Sequence, residues 1–201
     1  QQTSDGGFIV CGSSISSISG DKTESNCGVS GFSPDFWVIK TDVNGNIQWQ
    51  NTIGGTNIDK CNSIKQTSDG GYILGGLSRS DISCDKTENC YDSQGSLSYD
   101  YWIIKIDSVG IILFENTIGG TFNDELYSIQ QTFDQGYILA GKSASNISGD
   151  KTENSIGGLD YWIVKTDSNG SIIWQKTIGG SNNDELTSIQ QTTDGGYILG
   201  G

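Results

Sequence analysis

The stretch Asp160 to Gly201, DYWIVKTDSNGSIIWQKTIGGSNNDELTSIQQTTDGGYILGG, decides the fold of this chain. It opens on an apolar run, Tyr161 to Thr166, turns at Asp167-Ser168-Asn169-Gly170, and enters a second run, Ile172 to Ile178. Asn-Gly between two apolar runs signals a β-hairpin, because glycine accepts the positive φ that tight turns demand. After a Gly-Gly link, the turn Asp194-Gly195-Gly196 leads into the run Tyr197 to Leu199 and marks a second hairpin.

Upstream the same text recurs. Segments of the type QTTDGGYIL start at Gln2, Gln66, Gln131 and Gln191, which are 64, 65 and 60 residues apart. DFWVIKTD (from Asp35), DYWIIKID (from Asp100) and DYWIVKTD (from Asp160) recur in phase, each followed by a segment ending in TIGG. Repetition at a fixed period sets the architecture before any local reading does. The cleanest unit predicts four strands: a, Leu126 to Thr132; b, Tyr137 to Lys142; c, Tyr161 to Thr166; and d, Ile172 to Ile178. Strands b and c are almost continuously apolar, as expected of strands buried on both faces by neighbouring sheets. The expected fold is therefore all-β, with β-propeller blades of four antiparallel strands. Residues 1–55 form a first blade with strand a incomplete, 56–120 a second, 121–180 a third, and 181–201 the first half of a fourth. A closed ring needs roughly 250 to 500 residues at this period. The chain thus reads as a fragment of a larger propeller, with a ring closed by a second chain or an open β-solenoid of stacked sheets as alternatives.

Composition agrees and excludes much chemistry. Among 201 residues there are 29 glycines, one proline and no methionine, and alanine occurs only as Ala140 and Ala144, so strong helix formers are scarce. Histidine is absent, which removes Ser-His-Asp and Cys-His nucleophile systems and histidine-held zinc or haem. A net charge of −13 repels phosphate backbones and anionic lipid. No apolar run approaches the ~18 residues of a membrane-spanning helix. With no initiating Met and a first residue already inside the pattern, the chain is expected to be a piece of something longer.

The string from Asp160 to Gly201 resembles the roughly 60-residue propeller-type repeats of large secreted bacterial surface proteins. Many of those proteins are exported by the type IX secretion system, and archaeal surface proteins carry similar repeats. The resemblance runs over essentially the whole chain. It implies a β-propeller, an extracellular location and no established enzymatic activity, and it carries no catalytic residues to transfer. The C-terminal sorting segment frequent in such proteins is not in this sequence, which again implies a fragment.

In an antiparallel blade the a–b and c–d turns emerge on one face, and the b–c inserts and d–a links on the other. The turns are short. The inserts, about 15–34, 80–99 and 144–159, are long and polar, so a partner is expected on their face. Each insert carries a DKTE motif whose hard oxygens suit calcium: Asp21, Thr23 and Glu24; Asp85, Thr87 and Glu88; Asp150, Thr152 and Glu153. The spacing is not that of an EF-hand, each motif carries an opposing lysine, and the alternative is a turn that caps the loop. Asp59, Asp124 and Asp184 recur in the d–a links. An acid repeated in every unit suggests a blade-to-blade hydrogen bond to the backbone amides of the Gly-Gly turn instead of catalysis, which breaks symmetry. Trp37, Trp102 and Trp162 are expected between blades, as are Trp49, Phe114 and Trp174. Lys40, Lys105 and Lys165 are expected to lay their stems on the sheet with the ammonium in water.

Cys11 and Cys61 read as small buried residues, and Cys84 and Cys90, which flank one DKTEN loop, as a short disulfide. The expected function is a non-enzymatic extracellular scaffold or recognition module. It would bind a protein or glycan on a surface, or its own copies, without nucleic acid or membrane insertion and without any cofactor except calcium. A carbohydrate-binding lectin-type propeller is the alternative. Phe32, Tyr91, Tyr99 and Asn154 are the candidate binding residues of the inserts.

Overall fold

The structure, a computed structural model, describes residues 1–28, 32–91 and 98–201. Segments 29–31 and 92–97 of the first two inserts lie outside the described residues. All regular structure among the described residues is strand. The first sheet holds β1 (Phe8–Ser14), β2 (Asp35–Thr41) and β3 (Ile47–Ile53). The second holds β4 (Asp59–Gln66), β5 (Tyr72–Ser78), β6 (Asp100–Ile106) and β7 (Ile112–Ile118). The third holds β8 (Asp124–Gln131), β9 (Tyr137–Ser143), β10 (Asp160–Thr166) and β11 (Ile172–Ile178), and β12 (Ser188–Gln191) with β13 (Tyr197–Gly200) makes a two-stranded fourth. Every pairing is antiparallel between chain neighbours. The repeated four-stranded unit read from the sequence is thus present. The sheets stack in chain order, and the stack is open: among the described residues no strand pairing joins the first sheet to the fourth.

The core lies in three layers between the four sheets. Phe36 of the first sheet meets Trp102 of the second at 5.1 Å, and Tyr101 of the second meets Trp162 of the third at 4.8 Å. Trp102 and Trp162 are fully buried, as the repeat requires; burial of each such ring contributes a few kcal/mol. Strands β5, β6 and β9 are buried along their whole length, because a sheet lies on each side of them. β1 and β3 are more open, and Trp37 on β2 is only half-buried.

Between layers the side chains trade volume. Gly75 faces Leu126, whose Cδ2 would stand 2.6 Å from any Cβ placed there. In the next layer Ala140 packs in the cluster of Leu186, and in the first layer Cys11 packs against Cys61. Burial first, then the Cys11 thiol, push the Cys61 thiol well above its ordinary range, so both cysteines act as core filling.

One extra residue in strand d bulges every c–d pair: Gln48, Leu113 and Ile173 lie opposite the shifts at Lys40/Thr41, Lys105/Ile106 and Lys165/Thr166. Beside each bulge the lysine departs from expectation. Lys40, Lys105 and Lys165 are buried. Their ammonium groups bond the carboxylates of Asp5, Asp69 and Asp134 at 2.8, 3.0 and 2.9 Å, and also the carbonyls of Thr41, Ile106 and Thr166. Because the lysine side chain is buried, its charge is met by the a–b turn carboxylate and a strand carbonyl instead.

Candidate functional site

Each insert is fastened by the motif that suggested calcium. A bridge from Ser19 to Lys22, Ser83 to Lys86 and Ser148 to Lys151 closes a tight turn. The lysine then dives inward. Lys22, Lys86 and Lys151 are buried, and their ammonium groups bond the hydroxyls of Thr52, Thr117 and Thr177 on strand d. Lys86 and Lys151 also stand 5.2 and 5.1 Å from the ring centres of Trp102 and Trp162, a cation–π contact. Burial lowers the Lys22 and Lys151 ammonium groups from their usual range.

The acids follow the lysines. The carboxylates of Glu24, Glu88 and Glu153 accept the backbone N–H of Thr52, Thr117 and Thr177 at 2.6 to 2.7 Å. Asp85 and Asp150 reach the preceding sheet and accept from the N–H of Gly54 and Gly119, both at 3.2 Å. Asp21 offers its carbonyl to the Gln50 amide, Thr87 donates to Glu115, and the Thr152 N–H reaches Gln175. Asp21, Thr23 and Glu24 are exposed. The motif therefore joins insert to strand and sheet to sheet.

Deeper, each junction brings two carboxylates together. Asp59 and Asp124 accept from Gly55 and Gly120 at 2.7 Å and from the hydroxyls of Ser80 and Ser145; Asp184 accepts from Gly180 at 2.7 Å. The bond to the Gly-Gly amide is present, but it is made within a single link, four residues along the chain, instead of from blade to blade. Asp35, Asp100 and Asp160 accept from the N–H of Cys27, Tyr91 and Ile156. One oxygen on each of Asp35, Asp59, Asp100, Asp124 and Asp160 is buried without a hydrogen-bond partner among the described residues. Burial, with the neighbouring acid, pushes Asp100 up to about 7 and Asp35 to about 6, and burial pushes Asp124 up to about 6.

The disulfide joins Cys27 to Cys84, not Cys84 to Cys90. The expected pairing fails because the Cys84–Cys90 loop is wound around the buried Lys86. That winding sends Cys84 toward the preceding insert and turns the Cys90 sulfur inward onto the carbonyls of Ser78 and Ser80. Burial pushes the Cys90 thiol up to about 12. Cys84 sits at φ 50°, where the sister repeats have Gly20 and Gly149 at φ 57° and 53°. At the next junction the ring of Tyr91 lies against Gly149 in place of the disulfide, and burial raises its phenol.

The other candidate binding residues scatter. Phe32 is 81% exposed, Arg79 stands over the Tyr99 ring at 5.3 Å, and the Asn154 side chain accepts the Ile147 N–H within its own insert. Two features escaped the sequence reading. Ile18, Ile82 and Ile147, one on each insert turn, are each 62% exposed. Their signal was an isoleucine recurring among Ser, Asn and Asp just before the DKTE motif. On the opposite face two cavities of 430 and 370 Å³ lie between successive sheets, lined by equivalent positions. Gln135, which breaks the Asp-Gly-Gly turn pattern, was the sequence signal for the larger. A comparison with protein-family models finds no match, and neither does a search of curated proteins.

Proposed function

We propose that the chain is a non-enzymatic, extracellular recognition scaffold, a segment of a β-propeller that holds its insert turns in fixed register for adhesion to a protein surface. The row of Ile18, Ile82 and Ile147 carries this reading: an apolar side chain stands in solvent at the same place in every repeat. Packing does not ask for it, and exposed apolar groups at regular spacing are what a docking surface presents. Each is held by a turn whose lysine is buried beneath it, so little side-chain or loop ordering would oppose binding. The stacked four-stranded sheets support a propeller, and the Cys27–Cys84 bond supports an oxidising exterior. Structural partners for the recurrent acids support a non-catalytic role.

The chain, labelled with a fluorophore, is applied to cells of its source before and after protease shaving. Retention is expected to fall on shaving and in I18S/I82S/I147S, with an unchanged melting temperature since all three side chains are exposed. Equal retention of the triple variant would sink the reading. For calcium, the bonds made by Glu24, Glu88 and Glu153 compete with the ion, so neither calcium chloride nor EDTA is expected to shift the melt. A rise with calcium would instead make those oxygens ligands.

A further inference from the structure

The larger cavity, 430 Å³ in volume, opens on the turn face between the second and third sheets. We propose that it binds a neutral saccharide, a site separate from the insert face. Its size lies within the ~300–1,000 Å³ range of small-molecule sites. Phe114, half-buried beside Tyr137 at 6.2 Å between ring centres, supplies an apolar wall. Polar groups surround it: Asp69, Lys105, Gln131, Gln135 and Ser168.

One departure from the repeat singles this cavity out. The Lys105 ammonium, its side chain 6% exposed, is held by both oxygens of Asp69, at 3.2 and 3.0 Å, and by the Ile106 carbonyl at 3.0 Å. Leu113 takes the bulge position that Gln48 holds in the sister cavity, and Asp69 keeps accepting capacity toward the opening. The departure is Gln135. It holds φ 68° at the position that Gly6, Gly70 and Gly195 occupy in the other a–b turns. A side chain at positive φ strains the backbone, and such strain is found where a side chain has work at a site. The Gln135 amide oxygen takes the Ser68 hydroxyl at 2.5 Å, and Gln131 holds the Ser68 N–H at 2.8 Å, so the amides are fixed.

The ligand class follows from charge. Asp69 and Lys105 neutralise each other at 3.0 Å, so an anion would face the carboxylate and a cation the ammonium. The net charge of −13 further opposes anions. A sugar hydroxyl instead donates to Asp69 without separating the pair. A C–H face of the ring meets Phe114, and the remaining hydroxyls meet the fixed amides.

Calorimetry of the full chain with maltose, cellobiose, lactose and chitobiose tests this. At least one should bind at about one site with a Kd on the order of millimolar, as suits a small, open site. Q135G restores the sister glycine: the melting temperature should hold or rise while affinity falls roughly tenfold, the loss of about one hydrogen bond. S168W fills the cavity from an exposed turn and should abolish binding, whereas S108W at the sister cavity should leave it unchanged. Absence of heat with all four disaccharides well above millimolar, or unaltered affinity in both Q135G and S168W, would overturn the proposal.

Discussion

Raising the pH from about 5 to about 8 is expected to weaken the stack, and Asp100→Asn to remove the largest single part of that loss. The side chain of Asp100 is fully buried at the junction of the second and third sheets. Around it stand Asp124, the Lys86 ammonium, the Cys90 thiol and the Tyr91 N–H. Burial, then Asp124, push it up to about 7, and burial pushes Asp124 up to about 6 despite the hydroxyls of Ser143 and Ser145. The two behave as one coupled pair that holds a proton near neutrality. In the unfolded chain both release their protons near 3.9. The folded state therefore binds more protons between about pH 4 and pH 7, and stability falls as pH rises through that window and levels off above it. Each unit is worth about 1.4 kcal/mol, so about 4 kcal/mol is the ceiling for Asp100 and about 2 kcal/mol a working expectation for the pair's observable effect.

The opposite trend belongs to the turn face. The Thr132 hydroxyl and Lys165 hold Asp134 at about 2. Asp69 is also held at about 2: burial pushes upward, but the Thr67 hydroxyl and Lys105 outweigh it. Both carboxylates are largely exposed, so they contribute little, and only that little is lost as pH falls below about 4. Optimum stability is expected at about pH 4 to 5. Urea denaturation across the series measures it. Asn keeps an acceptor for the Tyr91 N–H, so D100N should be more stable than the parent at about pH 8 and less steeply dependent on pH, the remaining slope coming from the other buried acids, Asp35 and Asp124 among them. A parent whose stability rises toward pH 8, or a D100N variant as pH-dependent as the parent, would refute the assignment.

The strands were legible because their signals are local and repeated. The β11 bounds, Ile172–Ile178, coincide with the run read from the sequence, and β9 extends it by only Ser143. The inward face of Trp102 and Trp162 followed from periodicity alone. What escaped depends on groups brought together across sheets. Lys86 looks like a solvated loop charge until Thr117 and Trp102, about thirty and sixteen positions downstream, are seen to receive it. Cys27 and Cys84 are 57 residues apart, and proximity in sequence favoured Cys90. Yet Cys84 stands where two sister repeats carry glycine, and Tyr91 and Ile156 occupy the Cys27 position. Alignment of the repeats to that depth would have shown a pair that replaces a ring-on-glycine contact.

That replacement makes the disulfide's removal measurable in parts. The Cys27–Cys84 bond closes a loop of 57 residues, for which chain-entropy arguments give about 4 kcal/mol. Against this, Cys84 holds a left-handed backbone that costs a non-glycine residue roughly 1–2 kcal/mol. Cys27→Ser alone loses the cross-link and keeps the strained residue, so a loss of about 4 kcal/mol is expected. C27S/C84G loses the same cross-link but regains the glycine of the sister turns, so its loss should be about 3 kcal/mol. The double variant is thus expected to be the more stable of the two under reducing conditions. Because stacked repeats feel mainly their neighbours, the damage should stay local. Hydrogen exchange should quicken in β1, β2 and β3 while β9 and β10 keep their protection. Equal loss across all sheets would mean that the cross-link acts on the whole chain, and a double variant weaker than C27S would mean that Cys84 is unstrained where it stands.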